Sequence, residues 1–155
     1  MNASILEHVP LAPFTTLGIG GPARYFIRAT SEKLIEEAIE SSRQRGLPLL
    51  ILGGGSNMLI ADTGFPGIVV RVEIPGLRWM DEGRHIHVSA GAGEEWDLVV
   101  EQAVERRLYG IECLSGIPGS VGGTPVQNVG AYGQEIAETL KLWLLLSALE
   151  NGPET

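Results

Sequence analysis

Several residue types that mark particular protein classes are scarce in this sequence. Of its 155 residues one is cysteine, Cys113, which excludes an intramolecular disulfide and gives no indication of an oxidising compartment. Lysine and arginine number 11 against 19 aspartates and glutamates, for a net charge of -8. Because a nucleic-acid interface needs a basic stripe, we expect no nucleic-acid partner. We also expect backbone N–H groups to hold any phosphate that binds.

Long hydrophobic runs are missing as well. The longest apolar run, residues 142–149, is interrupted by Ser147 and is far shorter than the roughly 20 residues of a membrane-spanning helix. The first ten residues mix Asn2, Glu7 and His8 with apolar side chains, a composition that does not match a signal peptide. We therefore expect a cytoplasmic protein without membrane association.

Signature motifs of common enzyme classes are absent or incomplete. No G-x-x-x-x-G-K-[ST] phosphate loop occurs, and residues 18–23 fit the dinucleotide spacing G-x-G-x-x-A without a preceding strand or a following helix start. Cys113 has no nearby base and no G-x-S-x-G is present, so acyl transfer has little support and we interpret Cys113 as a small buried side chain. His85 and His87 share one face of a predicted strand without a third ligand, which predicts surface residues and no metal site.

The residue in excess is glycine, with 21 residues, nearly twice the roughly 7% of an average protein. The glycines cluster in two loops, residues 53–57 and 116–123. Such loops let backbone N–H groups approach a phosphate closely and form an anion site without lysine. Ser56, Asn57 and Ser120 add uncharged donors. The loops are either a phosphate cradle, which would suit a pyrophosphate on an acidic protein, or ordinary tight turns; the residues alone leave both readings open.

Patterns upstream of the first loop predict a strand–helix–strand unit. Residues 23–29 predict a strand because they are rich in β-branched and aromatic side chains. An amphipathic helix follows, which Thr30 or Ser31 can cap and Gly46 can end. Residues 49–52 form a short apolar run of the kind found in a strand buried on both faces.

The rest of the chain alternates between strands and helices. The predicted elements are a strand at 68–72, a hairpin at 77–90, a helix at 95–107 with Trp96, Val99, Val100, Ala103 and Val104 on its apolar face, an irregular stretch at 110–133 and a helical turn at 135–139. Residues 142–149 predict an apolar strand, and the Asn-Gly turn at 151–152 has no returning strand after it. This end of the sequence suggests a fragment.

Four blocks in this order resemble the UDP-N-acetylenolpyruvoylglucosamine reductase family. They are residues 16–23 (TLGIGGPA), 51–57 (ILGGGSN), 117–123 (IPGSVGG) and 127–133 (QNVGAYG), within a resemblance that covers about 13–149. The resemblance implies an α+β, two-lobed FAD-binding module of the vanillyl-alcohol-oxidase/PCMH type. It implies a lead-in at 1–14, a small βαβ lobe at about 15–72, a larger mixed-sheet lobe at about 73–149 and a truncated end at 150–155, with the C-terminal substrate-binding domain absent.

The same resemblance implies where FAD would bind. The two glycine loops would cradle its pyrophosphate, and the last block would line the cofactor near the flavin, where Tyr132 offers a ring for packing and a hydroxyl for a hydrogen bond. The implied cofactor-binding residues are Gly53, Gly54, Gly55, Ser56, Asn57, Ile117, Pro118, Gly119, Ser120, Gly122, Gly123, Gln127, Asn128, Gly130, Ala131 and Tyr132.

The activity that the resemblance implies is flavin-dependent reduction in peptidoglycan synthesis. In this family NADPH reduces the flavin, and the enolpyruvyl double bond of UDP-N-acetylenolpyruvoylglucosamine is then reduced to give UDP-N-acetylmuramate. The family's catalytic serine, arginine and glutamate lie in segments that this sequence lacks, so we expect no catalytic residue in the chain and no turnover without the missing half. The alternatives are a truncated, non-catalytic FAD-binding module and another flavin oxidoreductase of the same superfamily.

Overall fold

The computed structural model describes residues 5–141, which contain eight β-strands and three α-helices. The elements are β1 (Leu6–Pro10), β2 (Pro22–Ala29), α1 (Glu32–Arg45), β3 (Leu49–Leu52), β4 (Phe65–Val72), β5 (Leu77–Glu82), β6 (His85–Ala90), α2 (Trp96–Glu105), β7 (Gly130–Ala131), β8 (Gln134–Glu135) and α3 (Ile136–Thr139). The α+β fold class is confirmed. The strand and the turn predicted at 142–152 lie outside the described residues.

The first half of the chain forms a four-stranded mixed sheet in the order β1-β2-β4-β3. β1 is antiparallel to β2, whereas β2, β4 and β3 run parallel to one another. α1 covers one face of the sheet, where its Ile35 is buried in one cluster with Ile27 and Val70 of the strands. The other face of the sheet buries Phe26 and Val69. β4 is hydrophobic on both sides because it is one of the two inner strands and both of its faces are covered.

The predicted strand–helix–strand unit is confirmed as β2, α1 and β3, with one correction. β3 is an edge strand and is not buried on both faces, since Ile51 is 48% exposed. β4 lies between β2 and β3 in the sheet, so β3 has a partner on one side only. α1 begins after Ser31, whose side chain makes no capping hydrogen bond, and ends at Arg45, before Gly46, which takes the left-handed conformation with φ 60°.

The second half begins with the predicted hairpin, which is confirmed as β5 and β6 joined by the two residues 83 and 84. Gly83 has φ 76° and donates its N–H to Asp81 Oδ1 at 2.8 Å. His87 Nε2 lies 3.2 Å from Glu82 Oε2. Residues 73–141 form two antiparallel two-stranded sheets, β5-β6 and β7-β8, so the mixed sheet of the described chain lies in its first half.

The predicted apolar face of the second helix is confirmed except at its last position. Trp96, Val99, Val100 and Ala103 of α2 are buried, whereas Val104 is 51% exposed. Val104 was wrongly predicted to face the core because it lies at the margin of a stripe that is only about 100° wide. None of the helices in residues 5–141 is long and apolar enough to cross a membrane.

A third cluster of buried side chains holds the irregular stretch in place. Trp96, Val100, Leu114 and Ile136 pack together, and Trp96 Nε1 donates a hydrogen bond of 3.0 Å to the Leu114 carbonyl. Cys113 was predicted to be buried but is half-buried, since it lies beside the core cluster and is not a member of it, and its backbone N–H donates to a side-chain amide oxygen. The cluster therefore fixes the loop that follows Leu114 against α2.

The tryptophan hydrogen bond generates a prediction about stability. Trp96→Phe should lower the free energy of unfolding by about 2 kcal/mol, because it leaves the Leu114 carbonyl unsatisfied and creates a void. Urea denaturation measures the change. Val104→Ala on the same helix is the control and should stay within about 0.5 kcal/mol, since Val104 is half exposed. Equal effects of the two substitutions would contradict this account of the core.

Candidate functional site

The two glycine loops lie against each other, although they are far apart in the sequence. A Cβ atom placed on Gly54 would lie 2.7 Å from the Cα of Gly119 and 3.0 Å from the backbone nitrogen of Ser120. A Cβ on Gly53 would lie 2.9 Å from Ser120 Oγ. Such distances leave no room for a side chain at Gly54. Residues 53–57 and 116–123 therefore form one site.

The first loop follows the carboxyl end of β3, where ligands bind in many open parallel sheets. Gly55 has φ 72°, and a Cβ there would overlap the Phe14 carbonyl oxygen. The Gly55 carbonyl accepts a 3.0 Å hydrogen bond from the Thr16 N–H, and the Gly53 carbonyl accepts one from Arg71 Nη1. The segment 16–23 thus supports the loop and leads into β2, so its glycine spacing is not that of a strand-to-helix dinucleotide motif.

The second loop is fastened to the start of α2 by backbone hydrogen bonds. The Trp96 N–H donates to the Gly119 carbonyl at 3.1 Å, and the Val121 N–H donates to the Glu94 carbonyl at 2.9 Å. Asp97 Oδ1 accepts hydrogen bonds from the Ser115 hydroxyl and from the Gly116 N–H. Ser120 also forms an isolated antiparallel β-bridge with Glu95. The position of this loop is therefore set by the helix.

Gly122 and Gly123 use their own N–H groups within the chain. The Gly122 N–H donates to the Ala92 carbonyl at 2.9 Å and the Gly123 N–H to the Ser120 carbonyl at 2.8 Å. A Cβ on Gly122 would lie 2.8 Å from the Ala92 Cβ. Gly122 therefore contributes close backbone packing, and neither glycine offers an open donor.

Several donors at the meeting point of the two loops lack an acceptor within the described part of the chain. Ser120 is 7% exposed and its Oγ has no hydrogen-bond partner there. The backbone N–H groups of Gly54, Ser56, Asn57 and Ser120 also donate to none of the described residues. A buried polar group without a partner costs free energy, and a concave set of such donors is typical of an anion site. The arrangement fits a phosphate cradle better than two ordinary turns.

The last sequence block forms a small hairpin. β7 and β8 are joined by Tyr132 and Gly133, which have φ 51° and 86° and form a two-residue turn with positive φ at both positions. Tyr132 is 93% exposed. Asn128, also at positive φ, donates from Nδ2 to Glu135 Oε2 at 2.7 Å, and its Oδ1 accepts from the Ala137 N–H at 3.3 Å. Asn128 therefore braces the hairpin, whereas Tyr132 projects from it.

Both parts of the predicted site border the same core cluster. Ile117 from the second glycine loop and Ala131 from the hairpin pack against the cluster around Trp96, while Pro118, Gln127 and Gly130 are exposed. The structure thus brings the two glycine loops into direct contact and connects the hairpin to them through the core.

One carboxylate beside the hairpin has a shifted pKa. Backbone hydrogen bonds lower the pKa of Glu112 from its usual value, first from its own N–H and then from that of Gly110, which lies 2.6 Å from Glu112 Oε2. The Cys113 N–H donates to Gln134 Oε1 at 2.9 Å. The bond to Gln134 ties the chain before the second glycine loop to β8.

Arg71 is the residue at this site that the sequence patterns did not single out. Its position near the end of a predicted strand gave no chemical signal by itself. The register of β3 with β4, which pairs Leu52 with Arg71, brings the guanidinium to the loop that begins at Gly53. That register follows from the tertiary fold and cannot be seen in a local pattern.

Comparisons with known proteins agree with this geometry. Residues 23–147 match the family described as FAD binding domain. The chain is 46% identical over 141 residues to UDP-N-acetylenolpyruvoylglucosamine reductase of Thermobifida fusca, covering 90% of this chain and 40% of the relative. It is 43% identical over 139 residues to the protein of the same name from Pseudomonas aeruginosa, covering 89% of this chain and 41% of the relative. The chain spans about two-fifths of the length of these curated relatives.

A solved structure is similar as well. The crystal structure of UDP-N-acetylenolpyruvylglucosamine reductase from Thermus caldophilus aligns with a TM-score of 0.66 and 31% identity. The alignment covers 88% of this chain and 46% of that chain. The resemblance inferred from the four sequence blocks is therefore confirmed for the FAD-binding part.

The contact between the two loops generates a second stability prediction. Gly54→Ala should lower the free energy of unfolding by about 1 to 3 kcal/mol, because its Cβ would push against the backbone of Gly119. Gly123→Ala is the matched control: its nearest neighbour would be Ser120 Oγ at 3.9 Å, and we expect no loss or a gain of about 0.5 kcal/mol. Thermal unfolding of both variants without ligand measures the difference, and an unaffected Gly54→Ala chain would rule out the close contact.

Proposed function

The chain belongs to the FAD binding domain family, and from this premise we propose that its two facing glycine loops bind the pyrophosphate of FAD. The observation that carries the proposal is the buried Ser120 hydroxyl, which has no hydrogen-bond partner among residues 5–141 and lies where Gly53 and Gly54 approach the second loop. The residues fit this cofactor, because the loops combine unpaired donors with glycines that leave room for a ligand and contain no acidic side chain to repel a phosphate.

Each predicted cofactor residue has a proposed part in holding FAD. The N–H groups of Gly54, Ser56 and Asn57 and the Ser120 hydroxyl would donate to phosphate oxygens. Gly122 and Gly123 already donate their N–H groups within the chain, and Pro118 has none. These three residues would act by their shape, keeping side chains out of the cradle or supporting it from the core, and the same part is proposed for Gly53, Gly55, Ile117 and Gly119. The hairpin residues Gln127, Asn128, Gly130, Ala131 and Tyr132 would border the cofactor near the flavin.

The larger protein that this chain represents is proposed to be an NADPH-dependent reductase of peptidoglycan synthesis, acting in the cytoplasm. Its reaction would convert UDP-N-acetylenolpyruvoylglucosamine to UDP-N-acetylmuramate. Bound FAD would supply the hydride transfer, taking hydride from NADPH and passing it to the enolpyruvyl double bond. The names of the relatives and their 43 to 46% identity support this proposal. The chain covers about two-fifths of them, so the proton donor and the substrate site are proposed to lie in the remainder.

The division of the chain is proposed along the same lines. Lobes at about 15–72 and 73–149 would flank FAD, with a lead-in at 1–14 and a short end at 150–155. The separate hydrophobic clusters of the two halves support two lobes. β1 pairs with β2 and Leu11 is fully buried, which supports moving residues 6–11 from the lead-in to the first lobe.

Two buried serines allow a sharp test of the cradle. The 155-residue chain should bind FAD, with a flavin absorbance spectrum in the complex. Ser120→Ala should weaken FAD binding about tenfold, since a hydrogen bond to a charged group is lost, while leaving stability without ligand unchanged or slightly higher. Fluorescence titration with FAD and urea denaturation measure the two effects.

The control is Ser42→Ala, in the same chain and equally buried. Ser42 Oγ donates a 2.7 Å hydrogen bond to the Leu47 carbonyl, away from the glycine loops. This variant should lose about 1 kcal/mol of stability and keep its FAD affinity. The opposite pattern, in which Ser120→Ala lowers stability and leaves FAD affinity intact, would overturn the proposed cradle.

Tyr132 provides an independent test of the hairpin's part in the site. An exposed tyrosine with φ 51° is strained, and asparagine tolerates this conformation better. Tyr132→Asn should therefore raise stability by about 1 kcal/mol but weaken FAD binding, because the ring is lost. Tyr132→Phe keeps the ring and should bind FAD nearly as tightly as the parent chain. Equal FAD affinity in both variants would exclude ring packing against the cofactor.

A further inference from the structure

We propose that Arg71 is a positioning residue of the cradle, which acts through the Gly53–Gly54 peptide to aim the Gly54 N–H at the FAD pyrophosphate. The inference rests on the proposed function, and it adds a charged side chain to a site that the sequence predicted to use backbone and uncharged donors alone. Arg71 would not itself need to touch the cofactor.

The placement of Arg71 follows from the register of the sheet. Arg71 pairs with Leu52 across β3 and β4, and Gly53 is the next residue along the chain. Its Nη1 donates a hydrogen bond to the Gly53 carbonyl, and its guanidinium carbon lies 5.8 Å from the centre of the Phe14 ring. The Phe14 carbonyl also limits the space around Gly55. Phe14 therefore contacts both the arginine and the first loop.

The geometry of a trans peptide links this bond to the donor in the cradle. The C=O and N–H groups of one trans peptide point in opposite directions. Fastening the Gly53 carbonyl to Arg71 therefore turns the Gly54 N–H away from Arg71, and this N–H has no acceptor in the described part of the chain. Two consecutive glycines would otherwise let the peptide rotate easily. A rotated peptide would present the carbonyl oxygen to the phosphate and repel it.

The charge of Arg71 is only partly neutralised within the described residues. Arg71 Nε is buried without a hydrogen-bond partner there and lies 3.8 Å from Glu73 Oε1. The other oxygen of Glu73 is engaged by Arg28 Nε at 2.7 Å. Neither glycine loop contains a lysine or an arginine, and the whole chain carries a net charge of -8. A half-buried cation behind the first loop would favour an anion in front of it.

The first experiment compares FAD and ADP binding in three single variants of the 155-residue chain. Arg71→Met removes the charge and the donor at similar volume and should weaken FAD and ADP alike by about tenfold or more, because both ligands carry the pyrophosphate. Arg71→Lys keeps the charge without the planar fork and should fall between this variant and the parent. Arg28→Met is the matched control, which also loses an ion pair to Glu73 but leaves Gly53 untouched, and it should bind within about twofold of the parent.

Two further measurements separate positioning from a general loss of structure. Millimolar guanidinium ion should restore part of the FAD affinity of Arg71→Met and leave Arg28→Met unchanged, at concentrations well below those that unfold proteins. In the ligand-free chain the Gly54 amide resonance should shift or broaden in Arg71→Met, since the peptide loses its fixed orientation. The same resonance should be unchanged in Arg28→Met.

The outcomes distinguish this inference from the proposed function. A parent chain that binds FAD and ADP, together with an Arg71→Met variant that binds them equally well, would overturn the part assigned to Arg71 and leave the cradle standing. A Gly54 amide resonance that Arg71→Met leaves unaltered in the ligand-free chain would also overturn the part assigned to Arg71, whatever the FAD affinity of the variant. A parent chain that binds neither FAD nor ADP would overturn the proposed function and the action of Arg71 on a pyrophosphate together.

Discussion

The approach of the Gly54 backbone to the Gly119 backbone is the contact on which the candidate site depends. Each loop is held by its own half of the molecule, the first by the sheet and the second by the start of α2, and neither forms the cradle alone. The free energy that keeps the loops together therefore derives from the surrounding cores, and the loops contribute little apart from their lack of side chains. A change in the docking of the two halves would alter the cradle even with every loop residue intact.

This arrangement leaves one buried polar group of the candidate site without a partner among residues 5–141. The Ser120 hydroxyl costs free energy that the packed cores offset, whereas the N–H groups of the half-buried Gly54 and Ser56 and the exposed Asn57 can be hydrated. A ligand that satisfies these donors binds the folded chain and not the unfolded one, so it stabilises the fold by mass action. Cofactor affinity and stability of the two halves are thus coupled through the same few atoms.

Local patterns in the sequence were sufficient to predict most of the elements. The glycine loops, the amphipathic faces of α1 and α2 and the β5-β6 hairpin each leave a signal within about 15 residues, because helix and strand periods are local. The edge position of β3 and the exposure of Val104 were predicted wrongly, since both depend on which element packs alongside. Ser120 was predicted as a donor, but only the fold shows that its hydroxyl has no partner within the described part of the chain. The part played by Arg71 depends on a strand register, which no local pattern records.

The position of β4 between β2 and β3 has a consequence for how the chain folds. β4 comes last of the three in the sequence and is the partner of both, so the facing edges of β2 and β3 remain unpaired until residues 65–72 have been synthesised and inserted. Open strand edges invite pairing with other chains. The loop that begins at Gly53 connects β3 to β4, so it reaches its final shape only when that insertion is complete, and on the proposed site the cofactor would bind after this step.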